Sequence, residues 1–167
     1  MTRSTTIETP LGKMLVVAGE AGVIGAYFAG QKYFPHVTND WHEAPDDPLL
    51  MRVRRQFDAY FAGRSTAFDL PLDLRGTPFQ RRVWAALLEI PYGETRTYGR
   101  LAEGIGAPDS ARAVGAAVGR NPVSVIVPCH RVLGTHGTLT GYAGGLDRKR
   151  ALLQREGCLE ELAPRLL

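Results

Sequence analysis

The 167-residue chain has only two cysteines and three lysines, and no apolar run near the ~20 residues that cross a bilayer. Cys129 and Cys158 cannot make a disulfide framework. There is no C-x-x-C pair, and His36, His42, His130 and His136 lack the spacing of a structural zinc site, so neither metal nor cofactor is expected. Residues 1–10 carry no apolar h-region, which argues against a secretory signal. Internal repeats and low-complexity tracts are also missing. A composition of 44% hydrophobic and 22% charged residues is ordinary for a globular chain, and this length buries a core without staples. A soluble, cytoplasmic protein with no membrane partner is the expectation.

The net charge of +3 hides an asymmetry. Residues 1–76 carry 8 Lys+Arg against 9 Asp+Glu, whereas residues 77–167 carry 12 against 8. Within 81–150 the balance is 10 against 5. A basic second half points to a polyanionic partner, nucleic acid first. Among the 20 basic residues, 17 are arginine.

Two short runs rich in Val, Ile and aromatics, 13–18 and 23–28, read as strands joined by a turn at 19–22. Residues 31–47 have no period and read as a loop or irregular edge. Asp47 and Pro48 start a helix whose apolar face is Leu49, Leu50, Val53, Phe57, Tyr60 and Phe61, and Gly63 stops it. Apolar and polar residues alternate over 68–74, predicting a half-buried strand that Pro71 confines to an edge. Nothing in this half reads as catalytic.

Residues 75–78 read as a boundary between an N-terminal α+β domain (1–75) and a second domain (76–167). Thr77 and Gln80 fit a capping box, with Pro78 at the first helical position. Val83, Trp84, Leu87 and Leu88 form that helix's stripe. Two more helices, near 97–105 and 110–119, are joined by a Gly-containing turn in the helix-turn-helix pattern. The second is built almost wholly of small residues. Gly115 and Gly119 each cost ~1 kcal/mol of helix stability relative to Ala. Close approach to DNA and tight packing on a neighbouring helix both explain such a surface. Residues 123–127 then read as a buried extended run, 133–142 as a hairpin or wing, and Asp147 as the cap of a last helix ending at Gly157.

The extended run delivers Pro128-Cys129-His130-Arg131. A thiol attacks as thiolate, and neighbouring positive charge or a histidine base lowers its pKa. Cys129 is therefore the candidate nucleophile and Cys158 a bystander.

The string Pro-Cys-His-Arg-Val (128–132) resembles that of the O6-alkylguanine-DNA alkyltransferases. The likeness runs collinearly through Gly76-Thr-Pro-Phe-Gln80, Ile90-Pro-Tyr-Gly-Glu94, Thr97-Tyr98, Ala111-Arg-Ala-Val-Gly115, Asn121-Pro122, Tyr142-Ala-Gly-Gly145 and Glu156-Gly157. It implies an α+β fold: an N-terminal ribonuclease H-like α/β roll and a mostly helical, winged helix-turn-helix C-terminal domain. It also implies direct reversal of DNA damage, one irreversible transfer of the alkyl group from O6-alkylguanine, and less well from O4-alkylthymine, to Cys129. His130 would accept the thiol proton through a water, Glu156 orient that histidine, and Asn121 tie the helix-turn-helix to the cysteine loop. The target base must leave the duplex. Arg112 would fill its place and Tyr98 push the 3′ phosphate, with Ala111, Gly115 and Arg120 on the minor-groove surface. Tyr142, Ser124, Ala143 and Val132 would line the base pocket. The resemblance implies a monomer in free solution, with cooperative binding on double-stranded DNA left open. Ser124 stands where some relatives have proline and Ala143 where they have serine, positions that bear on bulky alkyl groups. The competing reading is a non-enzymatic winged-helix DNA-binding regulator, which leaves Cys129, His130 and Glu156 unexplained. A cysteine hydrolase lacks an oxyanion-hole signature.

Overall fold

A computed structural model of the chain describes residues 1–159. The N-terminal part is a four-stranded sheet under one helix. Strands β1 (Arg3–Thr9), β2 (Gly12–Ala18) and β3 (Val23–Phe28) form an antiparallel meander, and β4 (His42–Glu43) adds in parallel to β1, giving the order β3-β2-β1-β4. The predicted strands 13–18 and 23–28 and their turn are present. β1 has only one strongly apolar residue, Ile7, so its pattern carried little signal; Ser4 and Thr5 are nonetheless buried. The irregular edge 31–47 contains β4.

Helix α1 (Pro48–Phe61) covers the sheet. The Asp47 carboxylate accepts from the Leu49 and Leu50 amides at its start, as expected of an N-cap. Leu50, Val53, Phe57, Tyr60 and Phe61 are buried, and Leu49 is partly so. Over 68–74 the inward and outward alternation is real, but no ladder forms. One bridge, Val23 to Leu72, replaces the predicted strand.

The C-terminal part is helical. Helix α2 (Pro78–Leu88) begins with the complete Thr77–Gln80 capping box, though Leu88 faces solvent. Strand β5 (Arg96–Thr97) leads into α3 (Tyr98–Gly104), and α4 (Ala111–Gly119) packs on both α2 and α3. The Trp84 indole donates to the Ala117 carbonyl at 2.8 Å, fixing α2 against α4. Strand β6 (Val132–Leu133) pairs in parallel with β5, and α5 (Leu146–Arg155) closes the described chain.

Three local expectations are corrected. Residues 123–127 are buried but not extended. The Val127 amide returns to the Val123 carbonyl at 3.0 Å, and Val125 is held at φ 73°. A β-branched residue there is strained, as tight turns at functional sites often are. The segment 133–142 forms no hairpin: β6 is followed by a 3-10 turn (Thr135–Gly137) and a loop, so the wing is irregular. Gly145, not Asp147, is the N-cap of α5; Asp147 lies in the first turn, where its charge suits the helix dipole.

The two parts share a hydrogen-bonded seam. The Ala26 amide of β3 donates to Pro122, and the Ser124 amide donates back to Ala26, both at 2.9 Å. The edge of the N-terminal sheet thus supports the segment leading to Cys129. Among the described residues, no helix is long and apolar enough to cross a membrane.

Candidate active site

Cys129, His130 and Arg131 form a single 3-10 turn. Adjacent side chains on such a turn diverge by about a third of a rotation, rather than pointing to opposite faces as in a strand. Cys129 is 6% exposed and His130 is fully buried. Asn121 holds the approach: its Nδ2 donates to the Val127 carbonyl at 2.8 Å, and its Oδ1 accepts the Val123 amide at 2.9 Å. The strained turn is thereby pinned on both sides.

His130 Nε2 lies 2.8 Å from Glu156 Oε2. Arg131 Nε donates to Glu156 Oε1 at 2.6 Å, and its Nη2 to Oε2 at 3.1 Å. The Tyr60 hydroxyl donates to the same Oε2 at 2.6 Å. Burial opposes the charge on Glu156, but the hydrogen bonds from His130 and Arg131 outweigh it and hold the carboxyl down to about 2. Glu156 is therefore an anion, and an anion only accepts. Nε2 of His130 must carry a proton, which leaves Nδ1 as the basic nitrogen. Nδ1 has no hydrogen-bond partner among the described residues. Burial lowers the His130 pKa despite the carboxylate, so the resting ring is neutral.

The expectation of a lowered thiol pKa is overturned. Burial pushes Cys129 up to about 11, with the Asn121 amide and the Lys149 charge acting only in opposition. At neutral pH the resting group is a thiol, and its proton must leave as the nucleophile is used.

A cavity of about 720 Å³ opens between α4 and the loop that carries Tyr142. Tyr98, Gly115, Arg120, Tyr142 and Ala143 line it, together with Lys32 and Tyr33 from the N-terminal part. Burial is the main influence on the Tyr98 and Tyr142 hydroxyls and raises the pKa of both. The Tyr142 hydroxyl is buried with no partner among the described residues. Ser124 and Val132 are buried and do not line it. Val132 is fully buried, and its carbonyl accepts the Lys149 ammonium at 2.6 Å. Ala111 and Arg112 stand outside the cavity, exposed on the first turn of α4.

The small-residue face of α4 has two candidate explanations, and geometry separates them. A methyl group at Gly119 would meet nothing within 4 Å, and one at Gly115 would touch only the Tyr98 ring at 3.7 Å. Internal packing does not require either glycine. The small surface faces outward.

Two site residues escaped the sequence reading. Tyr60 sits on the buried face of α1 and was counted as core; a phenol among apolar residues needs a partner, and that is the signal. Lys149 is fully buried, donating to the carbonyls of Val132 and Thr140, and burial lowers its pKa to about 8. In sequence it is one member of the basic run 148–150.

The ribonuclease-like domain of the 6-O-methylguanine DNA methyltransferases matches residues 2–74, and the DNA binding domain of the same family matches 78–158. The methylated-DNA–protein-cysteine methyltransferase of Mycobacterium bovis is 55% identical over 152 residues, covering 90% of each chain. That of Methanosarcina acetivorans is 49% identical over 150 residues, covering 90% of this chain and 95% of the other. The crystal structure of the Mycobacterium tuberculosis O6-methylguanine methyltransferase superposes with a TM-score of 0.86 at 48% identity, over 99% of this chain and 96% of that one. The structure of Mycobacterium tuberculosis OGT in complex with DNA gives 0.83 at 50% identity, over 93% and 91%. With both domain models aligned in order and relatives of half identity spanning nine-tenths of its length, this chain belongs to the 6-O-methylguanine-DNA methyltransferase family.

Proposed function

We propose that the chain repairs DNA by direct reversal, taking the alkyl group from O6 of a flipped alkylguanine onto Cys129, once per molecule. The observation that carries this reading is the 2.8 Å contact of His130 Nε2 with Glu156, which leaves Nδ1 basic on the turn that bears the thiol. Cys129 Sγ forms a bond to the alkyl carbon as the bond from that carbon to O6 breaks. The thiol proton passes through a bridging water to His130 Nδ1, whose positive charge Glu156 stabilises. The departing guanine recovers its carbonyl and, in the net balance, one proton on its ring. No oxidant or cofactor enters this balance. The alkylated cysteine is a thioether with no route back, so each molecule acts once. The same chemistry applies to O4-alkylthymine, whose smaller ring fills the cavity less well.

Double-stranded DNA is the proposed partner. Arg112 projects from the first turn of α4, where it can enter the duplex and fill the place of the flipped base. The outward face of Ala111, Gly115 and Gly119 lets the helix backbone approach a shallow minor groove, and Arg120 and Tyr98 meet phosphates at its ends. Tyr142, Ala143 and Ser124 bound the base. Affinity resting on phosphates falls with salt.

The test is a duplex carrying radiolabelled O6-methylguanine. One equivalent of label on Cys129, and none on Cys129→Ala, is the expected result. Binding without transfer by the wild-type chain would overturn the enzyme reading in favour of a winged-helix regulator.

A further inference from the structure

We propose that Tyr60, on the N-terminal helix α1, is a positioning residue for the alkyl transfer, acting through Glu156 on His130. This rests on the reading of His130 and Glu156 as the proton relay. Tyr60 is 2% exposed, and its hydroxyl donates to Glu156 Oε2 at 2.6 Å. That oxygen is also the one that faces His130 Nε2. The phenol and the imidazole therefore compete for the same lone pairs. Arg131 grips both oxygens, Nε on Oε1 and Nη2 more loosely on Oε2, so the carboxylate cannot rotate to serve the phenol and the imidazole separately.

Two consequences follow from this geometry. A phenol donating to Oε2 draws charge from it, and the imidazolium that forms during transfer is stabilised less strongly. The same bond also fixes the plane of the carboxylate, and with it the aim of Nδ1. The aromatic ring is held independently of the hydroxyl. It packs edge-on to Phe61 with centroids 5.1 Å apart, and against Phe68 at 5.4 Å and Tyr92 at 6.3 Å. Removing only the oxygen leaves that packing in place.

The groups that face the relay are few. Tyr60 comes from α1, Arg131 from the 3-10 turn, Lys149 from α5, and Tyr92 from the segment after α2, its ring 5.8 Å from the Arg131 guanidinium. Cys158 follows the end of α5, its pKa raised first by burial and then by the Glu156 charge. Of these, only Tyr60 and Arg131 hydrogen-bond Glu156 besides His130. Among the described residues, Tyr60 is the one donor to Glu156 from the N-terminal part of the chain. The N-terminal part thereby acts on the chemistry as well as supporting the cysteine segment.

The experiment measures the single-turnover rate of transfer from duplex O6-methylguanine against pH, for wild type, Tyr60→Phe, Glu156→Gln and the double variant. Tyr60→Phe should lower the plateau on the order of tenfold and move the acid limb to higher pH. Site-specific 3-fluorotyrosine at position 60, a stronger donor of nearly the same shape, should move that limb to lower pH. In the Glu156→Gln background, Tyr60→Phe should no longer move it. An acid limb that stays in place in both Tyr60 replacements, while Glu156→Gln is slow, overturns the proposal and leaves the relay standing. Unchanged rate and profile in Glu156→Gln overturns the relay itself. If Tyr60→Phe fails to fold, the fluorotyrosine limb and the His130 Nε2 proton resonance decide. A resonance unmoved by fluorination counts against the proposal.

Discussion

The Lys149 ammonium donates to the Val132 carbonyl across 2.6 Å, inside a core where both residues are fully buried. It also donates to the Thr140 carbonyl at 2.7 Å, so one cation ties β6 to the loop that carries Tyr142. Lys149→Met keeps the aliphatic stem but leaves the Val132 carbonyl buried without its donor. A loss of about 2–4 kcal/mol is expected from the unmet hydrogen bonds. Urea unfolding at neutral pH measures it. Proteolysis at 134–145 should accelerate in the same variant.

Gly119 gives a prediction in which stability and DNA binding move in opposite directions. Its position is helical and a methyl group would meet open space. Gly119→Ala should therefore stabilise the protein by about 0.5–1 kcal/mol through helix propensity. The same methyl stands on the surface proposed to meet the minor groove. Duplex affinity should fall while the melting temperature rises. A variant that gains stability and binds DNA as tightly as wild type would remove the close-approach reading of this helix.

The elements with local signatures were legible in the sequence. The capping box at Thr77, the Asp47–Pro48 start of α1 and the Asn121-Pro122 stop of α4 each encode their structure within four residues. What was not legible depends on contacts far apart in the chain. β1 is specified by its pairing with β2 and not by its own composition. The turn at 123–127 reads as a strand because Val and Ile dominate it, yet the seam to Ala26 and the Asn121 bonds hold Val125 at positive φ. Cys129 stands out from its neighbours Pro128, His130 and Arg131, whereas the roles of His130 and Glu156 come only from the resemblance. Tyr60 lies 96 positions from its partner Glu156, and no local pattern could pair them.

The role proposed for Arg112 in the duplex can be tested apart from the chemistry. It is exposed on α4 and does not line the cavity bounded by Tyr98 and Tyr142. If Arg112 fills the place of an extruded base, Arg112→Ala should slow repair of O6-methylguanine in duplex DNA by an order of magnitude or more. Reaction with free O6-benzylguanine, which needs no extrusion, should change little. Parallel single-turnover measurements on the two substrates check this. Equal losses would place Arg112 in the chemistry and not in the duplex.

The buried relay also makes the fold sensitive to acid. Glu156 is held down to about 2 from an ordinary 4.5, so its contribution is complete above the unfolded value and is lost as pH falls through the folded one. The size is on the order of 3 kcal/mol. His130 acts in the same direction. Burial lowers its pKa, so the unfolded chain binds more protons below about 6.5, and folding stability declines as that proton is taken up. Cys129 acts at the other end, where a thiol raised from 9 to about 11 keeps its proton in the folded state, and stability falls as pH rises through that window. Denaturant unfolding from pH 7 to pH 3 should therefore show two descents, the first from His130 and the steeper from Glu156. Glu156→Gln should start from lower stability at pH 7 and lack the second descent. A Glu156→Gln curve parallel to wild type down to pH 3 would mean that another carboxylate governs acid unfolding.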